Sequence, residues 1–191
     1  MLAYVFWHWR RREVHADEYQ RRQRAFHASL RQSPPPGFVL SRSAAIVGAP
    51  WGPAGREIYE DWYLVTGSAA LDPLNDAAIS ASRQAAHDAA AAVAESGTAG
   101  LYRLRRGAPL GAPYAAAWFA KPAGMSYTGL YDLLDPVVRN GSATLWGRQM
   151  VLGPSPEFCL QSERPVPLPV VLGALTLTLR PVWPDFPGGA A

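Results

Sequence analysis

The first ten residues form an aromatic-rich run whose side chains would alternate between the two faces of an extended chain, and this run predicts a β-strand. Tyr4, Phe6 and His8 share one face of an extended chain, while Val5 and Trp7 share the other. Because both faces begin with apolar side chains, we expect other elements to cover this strand on both sides.

The pattern then changes to that of a polar helix, predicted over residues 17–32. Asp17 is the expected N-cap, and the run Ser33-Pro34-Pro35-Pro36-Gly37 ends the helix. The elements predicted next are strands over 38–47 and 57–66, an alanine-rich helix over 72–95 that Gly97 ends, and a strand over 101–105. Their order, βαββαβ, is the ferredoxin-like arrangement.

Part of this order returns after a linker at 107–113. The predicted elements are a strand over 115–120, a helix from Ser126 that Pro136 breaks or shortens, strands over 143–152 and 157–161, and a last strand through Leu175, Leu177 and Leu179. The segment 40–48 aligns without gaps to 145–153 and shares its apolar ends and final glycine. A proline-rich stretch at 165–169 stands where the second long helix should lie.

The expected fold class is therefore α+β, with two tandem ferredoxin-like units whose antiparallel sheets face each other. The first unit covers 1–106, and the second, which lacks its last long helix, covers 114–183. A loose tail is expected over 184–191. Sheets in this arrangement would enclose a cavity between them.

The composition favours a folded, aromatic-rich interior and argues against several classes of function. Hydrophobic residues make up 49% of the chain, with seven Trp, eight Tyr and six Phe. All but one of the 18 basic residues are arginines, and those between positions 10 and 31 are typical of a solvated face, so no nucleic-acid partner is expected. No apolar run could span a membrane, the start lacks the order of a secretory signal, and Cys159 stands alone, so we expect a cytoplasmic protein without a disulfide or a cysteine metal site.

The predicted first helix resembles that of EthD-type proteins. Its acidic and aromatic start, Asp17-Glu18-Tyr19, leads to the pair His27-Ala28 near its end. EthD-type proteins belong to the dimeric α+β barrel superfamily, together with antibiotic-biosynthesis monooxygenases and chlorite-dismutase-like haem proteins. The resemblance covers about the first half of the chain. It implies two ferredoxin-like sheets that face each other around a cavity, here supplied by a single chain as a tandem fusion.

The first candidate for chemistry is His8, because a histidine in an aromatic strand needs a polar partner if it is buried. Asp61 in the third strand is the expected partner, since the first and third strands are neighbours in a ferredoxin-like sheet. The pair could act as a general base with its orienting carboxylate, or it could be a satisfied structural pair.

His27 is the candidate that comes from the resemblance. It could accept a proton or bind a ligand through its ring nitrogens, or it could close the helix by bonding a backbone carbonyl. His87 shares a helical stripe with Asp76, Ser80 and Arg83, and we expect it to face water and not to ligate a haem. The four histidines show no metal-binding spacing.

These features predict a protein that binds a small apolar or aromatic molecule in an aromatic-lined interior. If it is an enzyme, the expected chemistry is cofactor-independent oxidation or proton abstraction, with His8 or His27 as the base and Asp61 orienting it. The side chains expected to position the substrate ring are Trp7, Trp62 and Tyr63. The alternatives are a non-catalytic binding or assembly module and a haem-binding protein. No other cofactor, no metal and no membrane partner is expected, and homo-oligomerisation is left open.

Overall fold

The computed structural model describes residues 1–184, so the predicted tail lies outside the described residues from position 185 onward. Within this range the strands are β1 (Leu2–Arg10), β2 (Phe38–Ile46), β3 (Ile58–Val65), β4 (Ala94–Arg106), β5 (Ala115–Phe119), β6 (Ala143–Arg148), β7 (Phe158–Ser162) and β8 (Leu175–Trp183). The α-helices are α1 (Ala16–Gln32), α2 (Leu71–Ala78), α3 (Gln84–Val93) and α4 (Tyr127–Val138). Short 3-10 helices lie at Ser68–Ala70 and Val170–Leu172.

The strands close into an antiparallel barrel in the order β1-β3-β2-β8-β5-β7-β6-β4. The first four lie side by side as β4-β1-β3-β2, here called the first sheet, and the last four as β8-β5-β7-β6, the second sheet. Pairing of β2 with β8 and of β4 with β6 joins the two sheets. The predicted α+β class is confirmed, and so is the expected neighbourhood of the first and third strands.

The outer face of the first sheet is covered by α1, which buries Tyr19, Phe26 and Leu30. The prediction that Asp17 is the N-cap is wrong. His15 occupies that position without a side-chain capping bond, and Asp17 lies in the first turn, where its charge suits the helix dipole.

The long alanine-rich helix predicted over 72–95 is divided into α2 and α3. Between them, the buried guanidinium of Arg83 donates to the carbonyl oxygens of Ser33 and Ala77 and so ties this segment to the end of α1. The hydroxyl of Ser80 also donates to the Ala77 carbonyl, at 2.9 Å, and this local bond competes with the helical ladder. The break changes which side chains of α3 face the sheet.

Gly97 does not end a helix, contrary to the prediction. It lies within β4, where it is opposite His8 of β1. A Cβ at this position would lie 2.5 Å from the Phe6 ring and 2.8 Å from the carbonyl oxygen of Trp7. The glycine therefore allows β4 and the side chains of β1 to approach closely.

The barrel interior is filled by aromatic side chains from both sheets. Trp7 and Trp62 of the first sheet meet Trp118 and Trp146 of the second, and all four are buried. The Trp7 and Trp118 ring centroids are 5.7 Å apart, and those of Trp62 and Trp146 are 5.3 Å apart. An eight-stranded barrel is just wide enough for its own side chains to fill, so this interior is a core.

The second sheet is covered by α4. Ser126 begins this helix as predicted, since its hydroxyl accepts a hydrogen bond from the Gly129 amide at 3.0 Å. The helix continues through Pro136 and ends at Val138. Between β7 and β8 the described chain forms the 3-10 helix Val170–Leu172, where the prolines argued against a long helix.

Replacing Gly97 with alanine is expected to destabilise the fold by about 2 kcal/mol, because the added methyl group overlaps the Phe6 ring and the β1 backbone. Urea unfolding followed by circular dichroism would measure this. Gly111→Ala is the matched control, since a Cβ there meets nothing within 4 Å. Equal unfolding midpoints for the two variants would show that the close approach of β1 and β4 does not constrain the sheet.

Candidate functional site

The outer face of the first sheet brings together the three residues that the sequence singled out for chemistry. Phe6 is opposite Asp61 in the pairing of β1 with β3, so His8 lies on the same face, diagonal to the carboxylate. His27 reaches the same point from α1. The Asp61 Oδ2 atom lies 3.1 Å from Nε2 of His8 and 3.2 Å from Nε2 of His27.

The cluster His8–Asp61–His27 is almost completely buried, with side-chain exposures of 1%, 1% and 0%. It is held from the other side of each ring by a hydroxyl. The Nδ1 atom of His8 lies 2.5 Å from the Tyr19 hydroxyl, and the Nδ1 atom of His27 lies 2.8 Å from the Ser41 hydroxyl. The suggestion that His27 merely bonds a backbone carbonyl is therefore wrong.

The two imidazoles control the charge of Asp61. Burial by itself raises the pKa of this carboxyl, but the adjacent His8 and His27 outweigh burial and lower the pKa below its usual range. An ionised Asp61 favours the tautomer in which each Nε2 carries the proton. Each Nδ1 is then the acceptor of the hydroxyl that faces it.

The two tyrosines of the cluster act as neutral donors. Tyr63 donates its hydroxyl to Asp61 Oδ2 at 3.0 Å. Burial and the charge of Asp61 raise the pKa of Tyr63 well above its ordinary value, and they act in the same direction on Tyr19. Both hydroxyls therefore keep their protons at neutral pH.

The arrangement leaves one oxygen of Asp61 without a partner. His8, His27 and Tyr63 all approach Oδ2, whereas Oδ1 is buried and makes no hydrogen bond within residues 1–184. The N–H groups of the two imidazoles also lie off the axis of a full hydrogen bond to Oδ2. The cluster thus retains an unused acceptor at its centre.

A cavity of about 640 Å³ opens on this cluster, between the first sheet and the helices that cover it. Its walls are mainly apolar, with polar side chains from His8, Gln23, Asp61, Asp72, Asn75 and His87, and the other lining residues include Tyr4, Phe6, Phe26, Tyr63, Leu74, Ala78, Ala90, Ala91 and Ala94. The volume lies within the range of small-molecule sites. Val151, from the segment between β6 and β7, contributes one wall residue from the second half of the chain.

The location of this cavity corrects the prediction of a pocket between facing sheets. Trp7 and Trp62 lie on the opposite face of the first sheet, inside the barrel, and do not share the cavity with His8 and Asp61. Of the three side chains expected to position a ring, only Tyr63 lines the cavity. The predicted alternation of side chains along β1 and β3 was correct. The error was to assign ligand binding to Trp7 and Trp62, which lie on the face that forms the barrel core.

His87 lies at the rim of the cavity. Its side chain is 36% exposed, in line with the expectation that it faces water, but its ring also lines the cavity and lies 5.8 Å from the Phe26 ring, centroid to centroid. The break between α2 and α3 resets the helical phase, so that His87, Ala90 and Ala91 of α3 line the cavity, followed by Ala94 at the start of β4. Its Nδ1 atom lies 3.1 Å from a carboxylate oxygen of Asp88.

Inside the barrel, the indoles of Trp7 and Trp62 bind a second buried carboxylate. They donate to Oε2 and Oε1 of Glu60 at 2.7 and 2.6 Å. Burial raises the pKa of Glu60 to about 7, against the opposing influence of the two indoles and of the Arg42 charge. Arg42 is itself buried and donates to Gln161 and to the Leu110 carbonyl.

Sequence reasoning missed the residues that support the cluster from α1 and β2. Tyr19 was noted as part of the apolar stripe and of the resemblance, but not as a partner of His8. Ser41 and Glu60 were not considered. The available signal was the alternation along β3, where Glu60 and Asp61 must point to opposite faces and each needs its own donors.

No family model and no curated protein matches the sequence. Among solved structures, that of an anthrone oxidase-like protein has a TM-score of 0.50 at 8% identity, covering 99% of this chain and 96% of that one. A mutant chlorite dismutase from Candidatus Nitrospira defluvii has a TM-score of 0.47 at 9% identity, covering 95% and 92% of the two chains. The likeness is one of fold. The anthrone oxidase-like structure shares its fold with nearly the whole of this chain.

Residues 1–184 contain neither a candidate membrane-spanning helix nor a candidate metal site. No helix within 1–184 is long and apolar enough to cross a membrane. In the same range, no group of three or more His, Cys, Asp or Glu side chains is arranged to hold a metal ion.

Asp61→Asn is expected to lower the free energy of unfolding by about 3 kcal/mol at pH 7. The reason is that the buried groups facing Asp61, those of His8, His27 and Tyr63, would lose their negatively charged partner. The pKa of Asp61 is lower in the folded state, so its stabilising contribution is present above about pH 5 and is lost as the pH falls below about 4. The difference between wild type and Asp61→Asn should therefore shrink on acidification. Asp72→Asn, at an exposed carboxylate, is the control, and a difference that grew at low pH would contradict the ionised assignment.

Glu60→Gln is expected to change the pH dependence of the free energy of unfolding in the direction opposite to that of Asp61→Asn. Since the folded pKa of Glu60 is about 7, above that of an unfolded glutamate, this group makes the protein lose stability as the pH rises from about 4.5 to 7. The variant should lack this loss, which is on the order of 2 kcal/mol. Urea unfolding at pH 5 and pH 8 would measure it, and identical pH slopes in both proteins would count against the raised pKa.

Proposed function

We propose that this protein binds a small apolar or aromatic molecule in the cavity between the first sheet and its helices. The observation that carries this proposal is Asp61, a buried carboxylate with one unpartnered oxygen in the wall of a mainly apolar cavity. Binding sites combine an apolar enclosure with a few well-placed polar groups, and an unsatisfied buried acceptor is a typical functional feature.

The aromatic side chains of the wall suit a flat or bulky apolar ligand. Tyr4 and Tyr63 have ring centroids 6.2 Å apart, and Phe6 stacks on His8 at 4.9 Å. Phe26 extends the aromatic surface toward α3. These rings supply the apolar contact area that the tryptophans were expected to supply.

Catalysis is the second candidate, and the position of His8 in the cavity wall favours it. Proton abstraction from an electron-rich substrate would be the first step of a cofactor-independent oxidation, and the fold neighbour is named an anthrone oxidase-like protein. However, Nδ1 of His8 already faces the Tyr19 hydroxyl and Nε2 faces Asp61, so this imidazole would have to exchange a partner before it could accept a proton. The geometry therefore supports binding more directly than base catalysis.

Haem binding fits the cavity less well. His87 could serve as an axial ligand with Asp88 on its other nitrogen, which is a common second partner of metal-bound histidines. But the lining residues include no Lys or Arg that would pair with haem propionates, and they include the carboxylates of Asp61 and Asp72. An absorption spectrum of the purified protein without a Soret band would agree with this mismatch.

We also propose that the chain is a tandem fusion of two ferredoxin-like units, 1–106 and 114–183. Support comes from the strand orders β4-β1-β3-β2 and β8-β5-β7-β6, which follow the same sequence of first to fourth strand, and from α1 and α4 after the first strand of each unit. A single chain then builds the barrel that the superfamily name assigns to dimers. Self-association and a cytoplasmic location stay predictions.

Binding is tested with N-phenyl-1-naphthylamine, a neutral probe whose fluorescence increases in apolar surroundings. We expect saturable binding to the wild type and at least about tenfold weaker binding to Ala90→Phe, because this substitution fills the cavity from α3. Ala85→Phe is the matched control, since Ala85 lies exposed on the same helix.

Equal binding by Ala90→Phe and Ala85→Phe, in folded protein, would place the probe elsewhere and overturn the proposed function. Mass spectrometry of the probe after aerobic incubation separates the two candidates. An unchanged probe mass supports binding alone, and an oxidised product that requires His8 would support catalysis.

A further inference from the structure

We infer that the ligand of this cavity carries a protonated amine on an apolar body, and that Asp61 Oδ1 accepts a hydrogen bond from that amine. The inference rests on the proposed function and adds the chemical class of the ligand. It depends on the geometry of Asp61, on the charges of the cavity wall, and on the aromatic rings around them.

The acceptor is already in place and has no protein donor. Three groups converge on Oδ2 of Asp61, namely Nε2 of His8, Nε2 of His27 and the hydroxyl of Tyr63. The other oxygen, Oδ1, has no partner in the described part of the chain, although the residue is only 1% exposed. A buried acceptor without a donor is costly, and a ligand N–H group would remove that cost.

The charges of the wall favour a cation. The lining residues include the carboxylates of Asp61 and Asp72 and no Lys or Arg. Arg42 of β2 is buried inside the barrel, on the other face of the first sheet. Its guanidinium donates to Gln161 and to the Leu110 carbonyl, so it does not reach the cavity. An anionic ligand would therefore meet like charges without a permanent counter-charge, whereas an ammonium group would meet an ionised carboxylate.

Aromatic rings surround the place where the ammonium group would lie. Tyr4, Phe6, Phe26 and Tyr63 all line the cavity with Asp61, and the faces of such rings attract cations. Leu71, Leu74 and Ala78 of α2, with Ala90 and Ala91 of α3, add an apolar wall that suits the body of the ligand. The site thus offers a charged anchor at one point and apolar contact around it.

One group in the wall could favour a different ligand. His8 lines the cavity, and its Nε2 proton is not fully used by Asp61, so it could donate to a carboxylate or a phenolate. A ligand bound in this way would be an acid, not an amine. The two arrangements predict opposite selectivity, which makes them separable by experiment.

The test uses three probes that share one ring system: 2-naphthylmethylamine, 2-naphthylmethanol and 2-naphthoic acid. Isothermal titration calorimetry at pH 7.5 should show that the amine binds about tenfold or more tightly than the alcohol, and that the acid binds more weakly still, since a charge-assisted hydrogen bond distinguishes them. Asp61→Asn should abolish the preference for the amine. Asp76→Asn should retain it, because that carboxylate is exposed on α2 and does not line the cavity.

The outcomes distinguish failure of the amine preference from failure of small-molecule binding. Equal binding of the three probes, or tighter binding of the acid, would overturn the inference while leaving small-molecule binding intact. Loss of the preference in Asp76→Asn would show that the preference does not depend on Asp61 specifically and would also overturn the inference. If none of the three probes and no N-phenyl-1-naphthylamine binds, the proposed function itself fails. The comparison of probes on the wild type keeps the inference testable even if Asp61→Asn does not fold.

Discussion

The burial of one negative charge, that of Asp61, determines how α1 packs on the first sheet. A carboxylate at 1% exposure needs several donors to remain ionised. Two of the groups that face it are imidazoles, those of His8 on β1 and His27 on α1. The Tyr19 hydroxyl of α1 contacts His8, and the Ser41 hydroxyl of β2 contacts His27. The helix is therefore attached to the sheet by Tyr19 and His27 as well as by its apolar stripe, which fixes its rotation as well as its distance.

Neighbouring carboxylates on β3 show how strongly the two faces of this sheet differ. Asp61 on the helix-covered face has a lowered pKa because imidazoles lie beside it. Glu60 on the barrel face has a raised pKa, since indole N–H groups and one arginine compensate only part of its burial. A strand alternates its side chains by 180°, so one residue step exchanges an environment of imidazoles and hydroxyls for one of indoles and a single arginine. Polar groups on the two faces are thus independent sites, although they are adjacent in the chain.

The contacts that were predictable from the sequence are those that follow from strand order. Once β1 and β3 were expected to be neighbours, the meeting of His8 with Asp61 followed from two-residue periodicity and from the need of a buried histidine for a partner. The position of His87 did not follow, because it depends on the break between α2 and α3. That break involves a bond from Arg83 to the Ser33 carbonyl, 50 residues earlier, which no local pattern reports. Tyr19 was missed as a partner of His8 for a similar reason, since an apolar stripe does not show where its one hydroxyl points.

The cavity lies outside the barrel because the side chains on the two faces of the first sheet fill their surroundings to different extents. Eight strands enclose an interior that large side chains fill completely, and the tryptophans of both sheets do so. On the outer face, by contrast, the sheet presents large rings such as Phe6 and Tyr63, and the covering helices present small alanines, Ala78, Ala90 and Ala91, among larger lining side chains. The space beside these alanines is not filled by the rings of the sheet and of α1. Placing small residues opposite a polar cluster therefore produces an enclosed space beside Asp61, and the same residues on the barrel face would have left a hole in the core.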